Sequence, residues 1–334
     1  MFMIAKQIIL SSRPSGFPSI NNFSEISIEL PQLLTGEVLL QGVFYSVDPY
    51  MRGRMNNTES YISPFEINEP ISGGVVAKVV ASNATSLLPG DFVIGMLPWQ
   101  THMVVDANAV KKIDTHIAPA SYYLGILGMP GLTAYFGLID IGQPKVGETV
   151  VVSGAAGAVG VVVGQIAKIM GCKVIGIAGG TEKITILKNE FHFDEVIDYK
   201  NTVNINKAIQ MACPNGIDIY FDNVGGEISD AVIRQINYSA RIVLCGQIAL
   251  YNDHTTPIGP RLQPILLTKS ALMQGFIISN YANRFSEGIT QLSEWLKDGK
   301  LQYKETILHG FHQLPEAFIG LFVGKNLGKM IVEA

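Results

Sequence analysis

Residues 148–160, Glu-Thr-Val-Val-Val-Ser-Gly-Ala-Ala-Gly-Ala-Val-Gly, restrict the fold of this chain more than any other stretch. Thr149 to Val152 is a β-branched run that reads as a buried strand. Gly154, Gly157 and Gly160 follow at a spacing of three, and Val161 to Met170 then reads as a helix closed by Gly171. Strand, glycine turn and helix in that order form the context of a dinucleotide fingerprint, in which a pyrophosphate sits on the helix N-terminus. The spacing is G-x-x-G-x-x-G rather than G-x-G-x-x-G, so the alternative is a glycine-rich turn with no ligand. The flanking strand and helix favour the fingerprint.

The rest of the second half extends this unit. Val174–Ala178, Glu195–Ile197, Ile217–Phe221, Ile242–Leu244 and Gly275–Ile278 read as further strands, with helices over 182–189, 204–212 and 227–236 between them. Such alternation predicts an open α/β doubly wound parallel sheet of order 3-2-1-4-5-6. Residues 285–298 form an amphipathic helical pattern, and the tail from Asn326 to Val332 reads as a turn and a last strand. Before residue 120 the pattern differs. Ile4–Leu10, Ile26–Leu30, Val38–Tyr45, Val75–Val80, Phe92–Ile94, Val104–Val105 and Val110–Ile113 are short strands between Pro, Gly and Asn clusters, which predicts a mostly antiparallel β domain. Within it, Ser46 to Arg54 carries a Pro, a Tyr and two Arg after a strand, where a cleft could form. The plainer reading makes Arg52 and Arg54 solvated and leaves Tyr50 and Tyr61 as ordinary packing.

The second strand ends Ile177-Ala178-Gly179-Gly180-Thr181, without the acid that usually holds the ribose of NAD. Lys183 follows at the next helix start, and Tyr199-Lys200 closes the neighbouring third strand. A lysine, a phenol and hydroxyl donors at a helix start suit a phosphate dianion, so NADP is expected. Glu182 competes as a ribose ligand but lies in the helix.

Other chemistry is scarce. The first 171 residues hold no cysteine, which excludes a thiolate zinc site in the β domain, and there is no His-x-x-x-His, Cys-x-x-Cys or paired-carboxylate motif. His102, His116, His192, His254, His309 and His312 read as surface or structural. Cys172, Cys213 and Cys245 are too scattered for a disulfide framework and read as buried thiols suited to a reducing cytosol. A net charge of −4 without a basic run points away from nucleic acid. No stretch has membrane-spanning length and the N-terminus lacks signal-peptide features, so a cytoplasmic protein is expected.

Taken in order, Val47-Asp48-Pro49-Tyr50-Met51-Arg52, Gly128 to Tyr135, Ser153 to Gly160, Tyr220 to Gly226, Cys245-Gly246-Gln247-Ile248 with Tyr251-Asn252, and Asn326 to Lys329 resemble the zinc-independent medium-chain dehydrogenase/reductases. The likeness is to the group of prostaglandin reductases, leukotriene hydroxydehydrogenases and 2-alkenal (curcumin-type) reductases. It implies a GroES-like β domain at 1–120, to which the tail 305–334 returns, and a Rossmann NADP-binding domain at 121–304. It also implies NADPH-dependent reduction of the carbon–carbon double bond of α,β-unsaturated ketones and aldehydes, and a homodimer joined through a sheet edge. Arg241–Leu244 and the segment near Ala271–Ile278 would suit that edge. Ser72-Gly73-Gly74 stands where zinc-binding relatives carry Gly-His-Glu. By the same resemblance, the cofactor falls to Ala155, Ala156, Gly157, Ala158, Lys183, Tyr199, Asn223, Cys245, Gly246, Gln247, Ile248, Tyr251, Phe276, Ile277, Ile278 and Asn326. Tyr251 and Tyr61 match positions beside the substrate carbonyl, which they would approach from the two domains. Residues 249–263 depart from the proline-rich run of the prostaglandin enzymes, which leaves the substrate open. A quinone reductase or alcohol dehydrogenase of the same fold, or an NADPH-binding protein without turnover, stand as alternatives.

Overall fold

The computed structural model describes residues 3–253 and 255–334. His254, read above as a surface or structural histidine, lies outside them. The described chain divides into two units, one of residues 1–124, 305–325 and 330–334, the other of 125–304 and 326–329.

In the first unit, β1 (Ile4–Leu10) pairs antiparallel with β2 (Phe23–Glu29). The longer strands are β3 (Glu37–Ser46), β4 (Ser72–Ser82) and β5 (Phe92–Pro98), with β6 (His102–Asp106) and the short β7 (Lys111–Lys112) beside them. All of these pairings are antiparallel. Alternation along β3 buries Val38 and Leu40, and an irregularity between Gly42 and Phe44 shifts the phase so that Tyr45 joins them against Val75, Val93 and Trp99. Between β3 and β4 stands a one-turn helix, α1 (Met51–Arg54).

The second unit opens with α2 (Met129–Phe136), which has Pro130 in its first turn and runs into a wider π turn, Gly137–Gly142. Strand β8 (Thr149–Ser153) is buried at every position, as a strand covered on both faces must be. Then come α3 (Gly160–Ile169), β9 (Lys173–Ala178), α4 (Thr181–Asn189), β10 (Glu195–Asp198) and α5 (Ile205–Ala212). They are followed by β11 (Ile217–Asp222), α6 (Gly226–Ile233), β12 (Ile236–Leu244), α7 (Gln263–Lys269), β13 (Leu272–Gly275) and α8 (Phe285–Lys297). The spatial order β10-β9-β8-β11-β12-β13 is the expected 3-2-1-4-5-6, with every neighbour parallel. The fold class is therefore α/β, a Rossmann sheet plus an antiparallel β unit.

Two expectations need correction. The sixth strand is Leu272–Gly275, not Gly275–Ile278. Pairing with Arg241–Leu244 fixes its register, and the chain has left the sheet by Phe276. For the same reason Arg241–Leu244 is no edge. It lies between β11 and β13, and β13 forms the border. The C-terminal part of the first unit adds β14 (Glu305–His309), the apolar α9 (Leu314–Phe322) and β15 (Lys329–Glu333). Strand β15 pairs antiparallel with β3, and Phe311, Leu314 and Phe318 complete the core of that unit.

Candidate active site

Parallel strands present their carboxyl ends along one border of the sheet, where open α/β sheets bind ligands. The expected cofactor residues gather there. Ala155, Ala156, Gly157 and Ala158 follow β8, Lys183 opens the helix after β9, and Tyr199 follows β10. Asn223 follows β11, Cys245, Gly246, Gln247, Ile248 and Tyr251 follow β12, and Phe276, Ile277 and Ile278 follow β13. Asn326 reaches the same place from far along the chain. Gly328 bridges Gly157 and its N–H donates to Ala156 O at 2.8 Å, while Asn326 Nδ2 donates to Gly328 O at 3.0 Å.

At Gly160, in the glycine turn, and at Gly328 there is no room for a side chain. A Cβ at Gly160 would fall 2.4 Å from Gly154 O and 2.8 Å from Ala155 Cα, and one at Gly328 would fall 2.0 Å from Lys304 O. Among the described residues, the N–H groups of Ala158 and Val159, just before α3, have no backbone acceptor. Unsatisfied donors at a helix start, facing no carboxylate side chain of their own, fit a pyrophosphate. At the next helix, burial and then the neighbouring Lys200 pull the Lys183 ammonium below its usual range, against the opposing pull of Glu182. A cation disfavoured in this way gains from an arriving dianion, which fits a 2′-phosphate.

The centre of this border is built on Asp222, fully buried at the end of β11. Its Oδ1 accepts from Ser153 Oγ at 2.9 Å, Tyr220 OH at 2.8 Å, and the N–H groups of Val224 and Gly225 at 3.0 Å each. Ser153 Oγ in turn accepts from Asn223 N at 3.0 Å, and Asn223 Nδ2 donates to Ser153 O at 2.8 Å. The Asp222 carbonyl accepts from Cys245 N at 2.9 Å and Gly246 N at 3.1 Å. One residue thus ties the turns after β8, β11 and β12 together. Sequence reasoning passed over it, although Asp-Asn-Val-Gly-Gly is an Asx-turn signature.

Tyr251 folds back over its own loop, and its phenol oxygen accepts the Gln247 N–H at 3.2 Å. Burial holds this phenol above its ordinary range, partly offset by that N–H. Burial also pushes the Cys245 thiol up to about 12, with Asp222 adding to the effect, so this sulfur is no nucleophile at neutral pH. Cys172 and Cys213 are likewise raised to about 11 by burial.

In the β unit, Tyr61 is 62% exposed. The Arg54 guanidinium lies over the Phe65 ring at 3.9 Å and donates to Ser63 O at 2.9 Å and Ser72 Oγ at 3.2 Å. Burial raises the nearby Tyr50 phenol well above its ordinary range, and the Arg54 charge pulls the other way. Arg52 corrects the solvated reading. It is 3% exposed and donates to Gly16 O at 2.9 Å and Asn56 Oδ1 at 2.6 Å. Among the described residues, no group of three or more His, Cys, Asp and Glu could hold a metal ion, and no helix is long and apolar enough to cross a membrane.

Comparison with known proteins agrees with this architecture. Residues 6–113 match a family model described as the N-terminal domain of oxidoreductase, and residues 158–295 match one described as zinc-binding dehydrogenase. YfmJ of Bacillus subtilis (strain 168), which carries the provisional name of an NADP-dependent oxidoreductase, is 57% identical over 330 residues, covering 98% of this chain and 97% of that protein. NADPH-dependent curcumin reductase of Escherichia coli (strain K12) is 43% identical over 97% of this chain and 95% of its own length. The crystal structure of CurA from Vibrio vulnificus in complex with NADPH superposes with a TM-score of 0.93 at 45% identity, covering 98% of this chain and 99% of that one.

Fold, site and relatives together define an NADPH-dependent reductase. The chain belongs to the medium-chain dehydrogenase/reductase family, in the zinc-independent group that includes curcumin reductase, prostaglandin reductase 1 and 2-alkenal reductase.

Proposed function

We propose that the chain reduces the carbon–carbon double bond of an α,β-unsaturated ketone or aldehyde. The observation that carries this reading is the Tyr251 phenol, whose oxygen accepts the Gln247 N–H and whose own proton has no acceptor among the described residues. Relatives named prostaglandin reductase 1 (rat, 43% identical) and 2-alkenal reductase (tobacco, 40% identical) support the same chemistry.

When bound, NADPH supplies a hydride to the β-carbon of the substrate. The glycine turn at 154–160 and the start of α3 would hold the pyrophosphate. Lys183 and Tyr199 would hold the 2′-phosphate, and Asn223, the 245–251 segment, Phe276 to Ile278 and Asn326 the remainder. Tyr251 donates its proton into a hydrogen bond with the carbonyl oxygen as that oxygen becomes an enolate. The bond strengthens as charge develops, so it lowers the barrier rather than merely binding substrate. Tyr61 is the second proposed donor. Water or a tyrosine then protonates the α-carbon.

The test is NADPH oxidation against a panel of enones, alkenals, quinones and simple carbonyls. Turnover with enones and alkenals, giving saturated carbonyl products, is expected. Turnover confined to quinones, or alcohol formation from simple carbonyls, would replace the proposal with one of the other two activities of this fold, and no turnover at all with a tight NADPH complex would leave a binding protein.

A further inference from the structure

We propose that Lys200 is a second cation for the 2′-phosphate of NADPH and that Asp198 is the residue that positions it. The proposal rests on the reading of the α4 start as the phosphate subsite.

Strands β9 and β10 are adjacent and parallel, with Ala178 opposite Asp198, so their turns leave the sheet side by side. Asp198 laces these turns together. Its Oδ1 accepts from Gly180 N at 3.2 Å, on the β9 side, and from Lys200 N at 3.1 Å, on its own side. Its Oδ2 accepts from Asn201 Nδ2 at 2.7 Å. Burial opposes the charge, but the hydrogen bonds outweigh it and hold this carboxyl below its usual range, so it accepts as an anion at neutral pH.

The side chains that follow converge on one point. A Cβ at Gly179 would lie 2.9 Å from Lys200 Cγ and 2.9 Å from Tyr199 Cε1. The lysine stem and the phenol ring therefore both lie over the glycine that leads into α4. Lys183 stands in the first turn of that nine-residue helix, whose Gly180 cap brings no side-chain acceptor to the free N–H groups. Lys183 feels Lys200 as a like charge. A lysine in the first turn of an uncapped helix and a second lysine whose stem lies over the glycine leading into that helix match a phosphate monoester of charge about −1.5 to −2. An NADH ribose, bearing only hydroxyls, offers these lysines no charge to bind.

Binding constants for NADPH and NADH, measured by fluorescence titration, test this without turnover. Lys200→Gln, a surface change that leaves the fold alone, should weaken NADPH about five- to tenfold and NADH less than twofold. The salt dependence of NADPH binding should become shallower. Asp198→Ala should give a similar selective loss, and Asp198→Asn, which keeps an oxygen for the Gly180 and Lys200 N–H groups, should restore most of it. Lys183→Ala is the control for the underlying reading. If it loses NADPH selectively while Lys200→Gln stays within twofold of the parent, the proposal is overturned and the phosphate subsite stands. If Lys183→Ala is also indifferent, the subsite itself is misplaced. Equal losses of NADPH and NADH in Lys200→Gln or Asp198→Ala would reduce these residues to structural roles.

Discussion

Replacing Asp222 by alanine should destabilise the Rossmann unit by roughly 4 kcal/mol or more. The residue has no exposed surface, and its Oδ1 accepts from two hydroxyls and two backbone N–H groups. Each buried donor left without an acceptor costs about 1–3 kcal/mol. Four are orphaned at once, against a total stability of about 5–15 kcal/mol for a typical domain. Gly225, at φ +73°, donates its N–H to the same oxygen, so the turn that carries Asn223 should loosen as well. Asp222→Asn keeps Oδ1 but places an amide donor where Oδ2 now lies buried and unpartnered among the described residues. Its cost should be smaller, about 1–3 kcal/mol. Urea unfolding followed by tryptophan fluorescence and circular dichroism checks both. A loss under about 1 kcal/mol in the alanine variant would show that the turns hold without this hub.

The second large effect is on turnover. Removing both phenols, Tyr251→Phe with Tyr61→Phe, should lower kcat for an enone by roughly 10²–10³-fold, the usual consequence of losing the main oxyanion donor. Each single variant should lose less than the pair, because the other donor remains. NADPH affinity should barely change, since the hydroxyl is used only as charge builds on the substrate oxygen. Burial raises the Tyr251 pKa above its ordinary value of about 10, so the donor stays protonated through the neutral range. It loses its proton only as pH rises through that raised value, so Tyr251 should cause no fall in kcat below about pH 10. Near-normal kcat in the double variant would remove the tyrosines from the mechanism and leave water as the proton source.

Where local pattern decides structure, the sequence was readable. The β-branched run at 149–152, the three glycines and the helix behind them lie where the local pattern put them, and the sheet has the strand order of the doubly wound dinucleotide-binding fold. Reading failed where a distant partner decides. Gly275-Phe276-Ile277-Ile278 looks more strand-like than Leu272-Met273-Gln274-Gly275, yet pairing with β12 selects the latter. Helix α9 carries apolar residues on most of its faces because six of its nine residues are buried, so no broad polar face marks it in the sequence. Arg52 resembled a surface residue until Gly16, thirty-six positions earlier, supplied its acceptor. Asp222 could not be read as a hub because Ser153 stands sixty-nine positions away. Individual candidate cofactor residues were visible as motifs, whereas the hydrogen bonds that hold their turns together were not.

The most direct test of the proposed reaction is the fate of the transferred hydrogen. Turnover of a simple enone with NADPH deuterated at the transferring position of C4, followed by NMR of the product, should place one deuterium on the former β-carbon of a saturated ketone, with a solvent-derived proton on the α-carbon. Deuterium on the carbonyl carbon of an allylic alcohol would contradict the account, because the enzyme would then be reducing the C=O bond and no enolate would exist for Tyr251 to stabilise.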